Sequence, residues 1–294
     1  MRGPRPLFPE GAICGLVEEE RLPASYADFA QRWIQPLAVW LAAARRRRGA
    51  PLLAGVNGAQ GTGKTTLCKF LQLLLEREYK TITLSLDDFY LGRDERRRLA
   101  AQVHPLLATR GPPGTHDSAS LAATLDKLLA GKSVTAPRFD KVTDDRLPVA
   151  SWRRHQQPVD IVLLEGWCVG CPPQPGEMLG RPVNPLEADE DAGGRWRRYV
   201  NARLAEDYAA LFARLHCLIM LQAPSLAAVQ EWRGLQEQKL HAEEDRRGMD
   251  ATRLRRFLQH YERLTLWCLA ELPGRADYLL RLNEAHEVAE VVVK

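Results

Sequence analysis

Three acidic positions and one glycine-rich run carry the chemistry that can be read from this sequence. The run is Gly58-Ala59-Gln60-Gly61-Thr62-Gly63-Lys64-Thr65, the acids are Asp87-Asp88 and Glu165. The run has the form G-x-x-x-x-G-K-[ST], preceded by the apolar Leu52-Leu53-Ala54-Gly55-Val56 and followed by a helical pattern from Thr66. Glycines let successive backbone N–H groups converge on phosphate oxygens with no Cβ in the way. The following helix N-terminus adds partial positive charge where the anion sits. Lys64 then reaches β- and γ-phosphates and the Thr65 hydroxyl ligates Mg²⁺. Gly58 to Thr65, with Thr66, is therefore expected to hold a nucleoside triphosphate.

A phosphate loop alone leaves kinase, GTPase, motor and transport ATPase open. No Asn-Lys-x-Asp base-reading motif occurs. The discriminating feature ends the second apolar run: Thr81 to Leu86 leads into Asp87-Asp88-Phe89-Tyr90. A residue at the C-terminal end of a parallel strand faces the ligand crevice. A carboxylate there can accept the proton of a hydroxyl attacking a γ-phosphate. The plainer alternative is that the two acids cap the next loop, since acids are poor strand formers. Glu165-Gly166-Trp167 follows the apolar Val159–Leu164 run, a place where P-loop proteins put a carboxylate for Mg²⁺ or water.

The elements that must position these groups alternate. Strands are expected at Leu52–Val56, Thr81–Leu86, Val159–Leu164, His216–Leu221 and Asp277–Leu282, the last closing the sheet. Helical patterns cover Ser25–Arg48, Arg93–Val103, Ser118–Ala130, Trp196–Leu211, Ser225–Arg233 and Asp250–Leu272, with Ser25 a candidate N-cap and Pro36 a candidate kink. Loops are expected at His104–Asp117 and Cys171–Gly194, and a polar irregular segment at Ser133–Pro158. Alternating strands and helices imply parallel strands with right-handed crossovers. The fold class is α/β, a doubly wound, mostly parallel sheet of P-loop NTPase type. Residues 1–50 form a helical extension packed on the core, and residues 51–294 the P-loop domain. Acceptor-side insertions fall at about 90–157 and 168–195, and a lid at about 232–249.

Composition sets the bounds. The 294 residues are 45% hydrophobic and 27% charged, with net charge +4. That mild excess suits anionic small substrates and does not argue for nucleic acid. No run is long enough to span a bilayer, and Met1 to Glu10 lacks a signal-like apolar stretch, so a cytoplasmic location is expected. Arg45 to Arg48 reads as a solvated helix end complementing the helix dipole. Cys168-Val169-Gly170-Cys171 has no second pair or His pair to make a metal site.

The combination of Gly58–Thr65, Asp87-Asp88-Phe89-Tyr90 and Glu165-Gly166-Trp167 resembles the phosphoribulokinase, uridine kinase and pantothenate kinase group. Further runs narrow the resemblance to the D-glycerate 3-kinase and kinase-like family. They are Arg110-Gly111-Pro112-Pro113-Gly114-Thr115-His116-Asp117, Pro137-Arg138-Phe139-Asp140-Lys141, Asn184-Pro185-Leu186-Glu187, Glu231-Trp232-Arg233 and the Gly248-Met249 step. The family implies transfer of the ATP γ-phosphoryl group to a small hydroxylated acceptor. It assigns Asp87 as general base with Asp88 second, Lys64 to the phosphates, and Thr65, Glu165 and Asp87 to Mg²⁺. Tyr90, Arg110, His116, Asp117, Arg138, Asp140, Lys141 and Arg146 fall on its acceptor side. Glycerate is a carboxylate, which suits a guanidinium clamp from Arg110, Arg138 or Arg146. The segment Trp232–Gly248 resembles a lid, with Arg233, Lys239, Arg246 and Arg247 as its cations and Arg233 favoured for catalysis. The run Lys141–Arg146 departs from relatives in being shorter and less glycine-rich. Other acceptors (a nucleoside, pantothenate, another sugar acid) and a slow nucleotide-hydrolysing regulator are the competing assignments, and oligomeric state is not legible.

Overall fold

Every residue of strand β1 (Leu52–Gly58) is buried, which is why it reads as a nearly unbroken apolar run. The computed structural model describes residues 10–156, 158–244 and 249–294. The other strands in chain order are β2 (Thr81–Ser85), β3 (Val134–Ala136), β4 (Phe139–Asp140), β5 (Asp145–Arg146), β6 (Arg153–His155), β7 (Ile161–Gly166), β8 (Cys217–Gln222), β9 (Tyr278–Leu282) and β10 (Val288–Val293). The helices are α1 (Glu10–Glu19), α2 (Tyr26–Phe29), α3 (Gln35–Arg48), α4 (Lys64–Leu75), α5 (Arg93–Gln102), α6 (Ser118–Leu129), α7 (Pro185–Glu190), α8 (Arg195–Arg203), α9 (Ala209–Phe212), α10 (Leu226–Glu244) and α11 (Ala251–Glu271).

Six strands form the main sheet in the order β10-β9-β8-β1-β7-β2. All neighbours are parallel except β9 and β10. The twofold period of a strand sends alternate side chains to opposite faces. Leu53, Val162 and Leu164 join one core with α6, α8 and α11, while Leu52, Ala54, Val56, Ile161 and Leu163 join another with α1, α3, α4 and α10. No described helix is long and apolar enough to cross a membrane.

Several expected details differ. Ser25 caps nothing, because Tyr26 and Ala27 N–H already donate to the Pro23 and Ala24 carbonyls. Pro36 sits in the first turn of α3, where its missing N–H is no loss, and the irregularity before it is a π-helical turn, Ala30–Ile34. The sheet closes one strand later than Asp277–Leu282, because β10 returns antiparallel along β9. The polar segment after Ser133 contains two small ribbons, β3 with β6 and β4 with β5. Helix α10 runs well past Arg233. Of the lid cations, Arg246 and Arg247 lie outside the described residues, as does the Lys239 side chain.

The expected loop after Cys171 holds α7, which begins with a side-chain cap. Asn184 Oδ1 accepts from Glu187 N at 3.0 Å, and its amide donates to Gln259 O on α11 at 2.9 Å. Glu187 is 0% exposed and receives Arg263 in a fork, Nε to Oε1 at 2.7 Å and Nη2 to Oε2 at 2.6 Å. Arg263 spends further N–H groups on the Met178 and Arg181 carbonyls. Fully paired, this buried ion pair clamps α7 to α11. Glu187→Ala leaves a buried guanidinium uncompensated and is expected to cost about 3–5 kcal/mol in denaturant unfolding. A loss below about 1 kcal/mol would show that the pair does not clamp the two helices.

Candidate active site

The strand-to-helix turn after β1 builds a cradle. A Cβ on Gly58 would stand 2.5 Å from Thr62 Oγ1, so only glycine permits the loop to fold over itself. Thr62 Oγ1 donates to Ala59 O at 2.8 Å, and Lys64 Nζ donates to the same carbonyl at 3.3 Å. Gly61 lies against the backbone of Trp232 and Arg233 on α10. Gly63 precedes α4 with no side-chain cap, so the first N–H groups of that helix, through Thr65 and Thr66, remain for a ligand. Both polar atoms of the Gln60 amide are buried and have no partner among the described residues. A glycine-shaped turn, open helix donors and an orphaned amide fit a phosphate chain.

At the ends of the neighbouring strands stand the acids. Thr65 Oγ1 and the buried Glu165 Oε1 are 3.5 Å apart. The described residues hold no group of three or more His, Cys, Asp or Glu able to hold a metal alone. Two oxygen donors next to a phosphate cradle nevertheless suit Mg²⁺, which draws most of its shell from phosphates and water. Asp87 sits on the 3₁₀ turn Leu86–Phe89 that follows β2. Its Oδ1 accepts from Tyr90 OH at 2.9 Å and its Oδ2 from Lys141 Nζ at 2.7 Å. Burial opposes charge on Asp87, but the Lys141 ammonium, helped by Lys64, outweighs it and holds the carboxyl well below the usual range. Asp87 and Glu165 both raise the Lys141 ammonium in turn. Lys64, Lys141, Asp87 and Glu165 thus share one electrostatic site.

Asp88 points elsewhere. Its Oδ1 accepts from Phe139 N at 3.1 Å, and burial lifts its carboxyl above the ordinary value. It lines a cavity of about 130 Å³ with Arg138, Arg153 and His155, a lining that does not include Asp87. Two of the cations expected on the acceptor side are committed to structure. Arg110 pairs with Asp144 and lies over Phe139 and Phe257. Arg146 donates to Tyr90 O at 2.7 Å and to Asp117 Oδ2 at 3.2 Å, while Asp117 Oδ1 caps α6 through Ser120 N. Asp140 accepts from Val142 N and Thr143 Oγ1, fixing the tight turn between β4 and β5. That turn delivers the exposed Lys141 to Asp87. Arg233 pairs with Glu237 at 2.6 Å one turn along α10. His116 is buried beneath Tyr90, with ring centroids 4.4 Å apart.

No family model matches the chain. It is 33% identical to the uncharacterized kinase mug58 of Schizosaccharomyces pombe over 223 residues, 72% of this chain and 79% of that one. It is 30% identical to the chloroplastic D-glycerate 3-kinase of Arabidopsis thaliana over 72% of this chain, a match that spans 46% of that longer protein. A solved D-glycerate 3-kinase from Cryptococcus neoformans superposes with a TM-score of 0.73 at 26% identity, covering 89% of this chain and 99% of that one. The chain belongs to the D-glycerate 3-kinase and kinase-like family of P-loop kinases.

Within this kinase, several residues that hold the site escaped the sequence reading. Arg96 is 1% exposed and donates to Leu91 O, Ala108 O and Asp144 Oδ2, gathering three loops under the acceptor side. Its spacing to Leu99 on α5 and to Val103 at the C-cap of that helix was the available signal. Tyr261 on α11 donates to Arg110 O at 2.9 Å and packs edge-on against Trp167. Gly111, at φ +125°, accommodates that ring; a Cβ there would fall 2.1 Å from the Tyr261 oxygen. Tyr208 reaches both Gly114 and His116. The Tyr261 and Tyr208 contacts join residues far apart in the chain, so no local pattern announces them. Cys168 and Cys171 are buried free thiols.

Burial pushes His116 and His260 down to about 4 from 6.5. As pH falls, the unfolded chain takes up these protons first, so stability should be whole above about pH 6.5 and decline toward about pH 4. Asp87, held low, adds to the loss only below the usual carboxylate range. Thermal unfolding across that window reads this directly, and a flat profile would overturn it.

Proposed function

We propose that this kinase transfers the γ-phosphoryl group of ATP to a hydroxyl of a small acid, with D-glycerate as the acceptor. The observation that carries the proposal is Asp87. It is a carboxylate kept ionised at a strand end, within the electrostatic reach of the phosphate-loop lysine and beside an exposed cation. Two relatives bearing the name D-glycerate 3-kinase support the choice of acceptor.

In this mechanism Gly58–Thr65 and Thr66 cradle the phosphates through backbone N–H groups, and Lys64 neutralises charge on the β- and γ-oxygens. Thr65 and Glu165 would hold Mg²⁺, which when bound supplies further neutralisation of the phosphates. Both Asp87 oxygens are already hydrogen-bonded, one to Tyr90 and one to Lys141. That favours Asp87 as the base that takes the acceptor hydroxyl proton over a place in the metal shell. A strongly acidic carboxyl suffices, because phosphoryl transfer depends mainly on positioning and charge stabilisation. With Arg110 and Arg146 engaged in the loops and Arg138 at the other cavity, Lys141 is the cation best placed to take the acceptor's carboxylate. Moving to that carboxylate would relieve Asp87 of its partner and make it a stronger base. Arg233 stands behind the phosphate loop as a further source of positive charge.

The test of class and acceptor together is ADP release from Mg-ATP with D-glycerate, L-glycerate, pantothenate, uridine and several sugar acids. Stimulation by D-glycerate alone is expected. Stimulation by another compound would replace the acceptor, and steady hydrolysis indifferent to all would replace the kinase with a regulator. Asp87→Asn should lower kcat by about 10²-fold or more with nucleotide affinity nearly unchanged, whereas normal turnover would remove Asp87 from the role of base. Lys141→Ala should raise the acceptor KM by about tenfold while leaving the nucleotide KM alone. An unchanged acceptor KM would discard the carboxylate role.

A further inference from the structure

Tyr208 is fully buried at the end of a π-helical turn, Leu204–Tyr208, between α8 and α9. Such turns re-aim one side chain and recur at functional sites. The phenol oxygen accepts from Gly114 N at 3.1 Å and lies 2.6 Å from His116 Nδ1. The Gly114 N–H can only donate, so the acceptor found for the phenol's own proton is Nδ1. A neutral imidazole that accepts at Nδ1 carries its hydrogen at Nε2. That Nε2 is buried and has no partner among the described residues, in a side chain 5% exposed. The ring stacks on Tyr90, whose hydroxyl donates to Asp87, and it lies within the electrostatic reach of that carboxylate.

We propose that Tyr208 is a positioning residue that fixes His116 as the Nε2–H tautomer, and that this N–H donates to a lone pair of the acceptor bound beside Asp87. The ligand's identity as the phosphoryl acceptor rests on the kinase proposal above; the tautomer does not. A hydroxyl that gives its proton toward Asp87 keeps lone pairs for His116, and a carboxylate oxygen has nothing else to offer. An ammonium or amide N–H in that place would meet donor against donor, so the pair selects oxygen-bearing acceptors. Because burial keeps the ring uncharged above about pH 4, the donor is unchanged across the neutral range.

The full-length protein, labelled with ¹⁵N-histidine, tests the first half by long-range ¹H–¹⁵N correlation. His116 should carry its proton on Nε2, and Tyr208→Phe should mix the tautomers. With the acceptor identified by ADP release, Tyr208→Phe should raise its KM by about tenfold with the nucleotide KM nearly unchanged. His116→Gln, whose amide N–H can stand in for Nε2–H, should retain more acceptor affinity than His116→Ala. A proton on Nδ1 in the wild-type protein overturns the proposal. So does Tyr208→Phe with an unaltered tautomer and acceptor KM. Should Tyr208→Phe fail to fold, the wild-type tautomer and the two His116 variants decide. Absence of any acceptor-stimulated turnover would overturn the kinase proposal and the acceptor contact with it, while the tautomer would still be decided by the spectrum.

Discussion

One carboxylate, Asp87, is held in its charged form against burial, and several loops are arranged around it. Asp87 is caught between Tyr90 and Lys141, and Lys64 reaches it through the field of the phosphate loop. Each of those groups is held by something else. The Tyr90 carbonyl is gripped by Arg146, which is gripped by Asp117, which caps α6. Lys141 stands on a short turn whose shape Asp140 sets from within. Charge at one atom is thereby converted into order across several loops.

The same requirement accounts for how the arginines are used. A region rich in guanidinium groups next to an anion site would drift without counter-charges. Asp144 holds both Arg96 and Arg110, and Glu187 holds Arg263. The Arg263–Glu187 pair is buried on both sides and the Asp144 pairs are part-buried; such pairs gain little net stability over an apolar packing, but they penalise any arrangement that separates them. They specify one placement of α5, α7 and α11 around the cleft. Tyr261 then reaches from α11 to the Arg110 carbonyl and closes the acceptor side.

The phosphate-loop motif and the acidic strand ends were legible in sequence because they depend on local backbone. Gly58 to Thr65 encode a turn that few other residue types could adopt, and Asp87 and Glu165 are marked by following apolar runs. The sheet was legible for the same reason, since β1, β7 and β8 are buried on both faces. The missed pieces are those that depend on a partner. Helix α7 hides in a proline-rich stretch and is secured by Asn184 reaching α11. Strand β10 exists because β9 offers it an edge. Ser25 looked like a cap, but it makes no side-chain cap bond, and the Ala24 carbonyl takes the Ala27 N–H.

Sequence by itself determined the parallel α/β class, the phosphate cradle and the acidic strand ends, because backbone sterics and burial act over a few residues. Only the tertiary structure separated Asp87 from Asp88, adjacent in the chain yet turned to different partners, Tyr90 and Lys141 for the one and the Phe139 N–H for the other. Only it decided which cations are free for a ligand, since a guanidinium's role depends on whether a distant carboxylate has claimed it. Arg110, Arg138 and Arg146 are equals in sequence. In the folded chain Asp144 and Asp117 engage two of them, the third lines a separate cavity with Asp88, and Lys141 is the cation paired with Asp87.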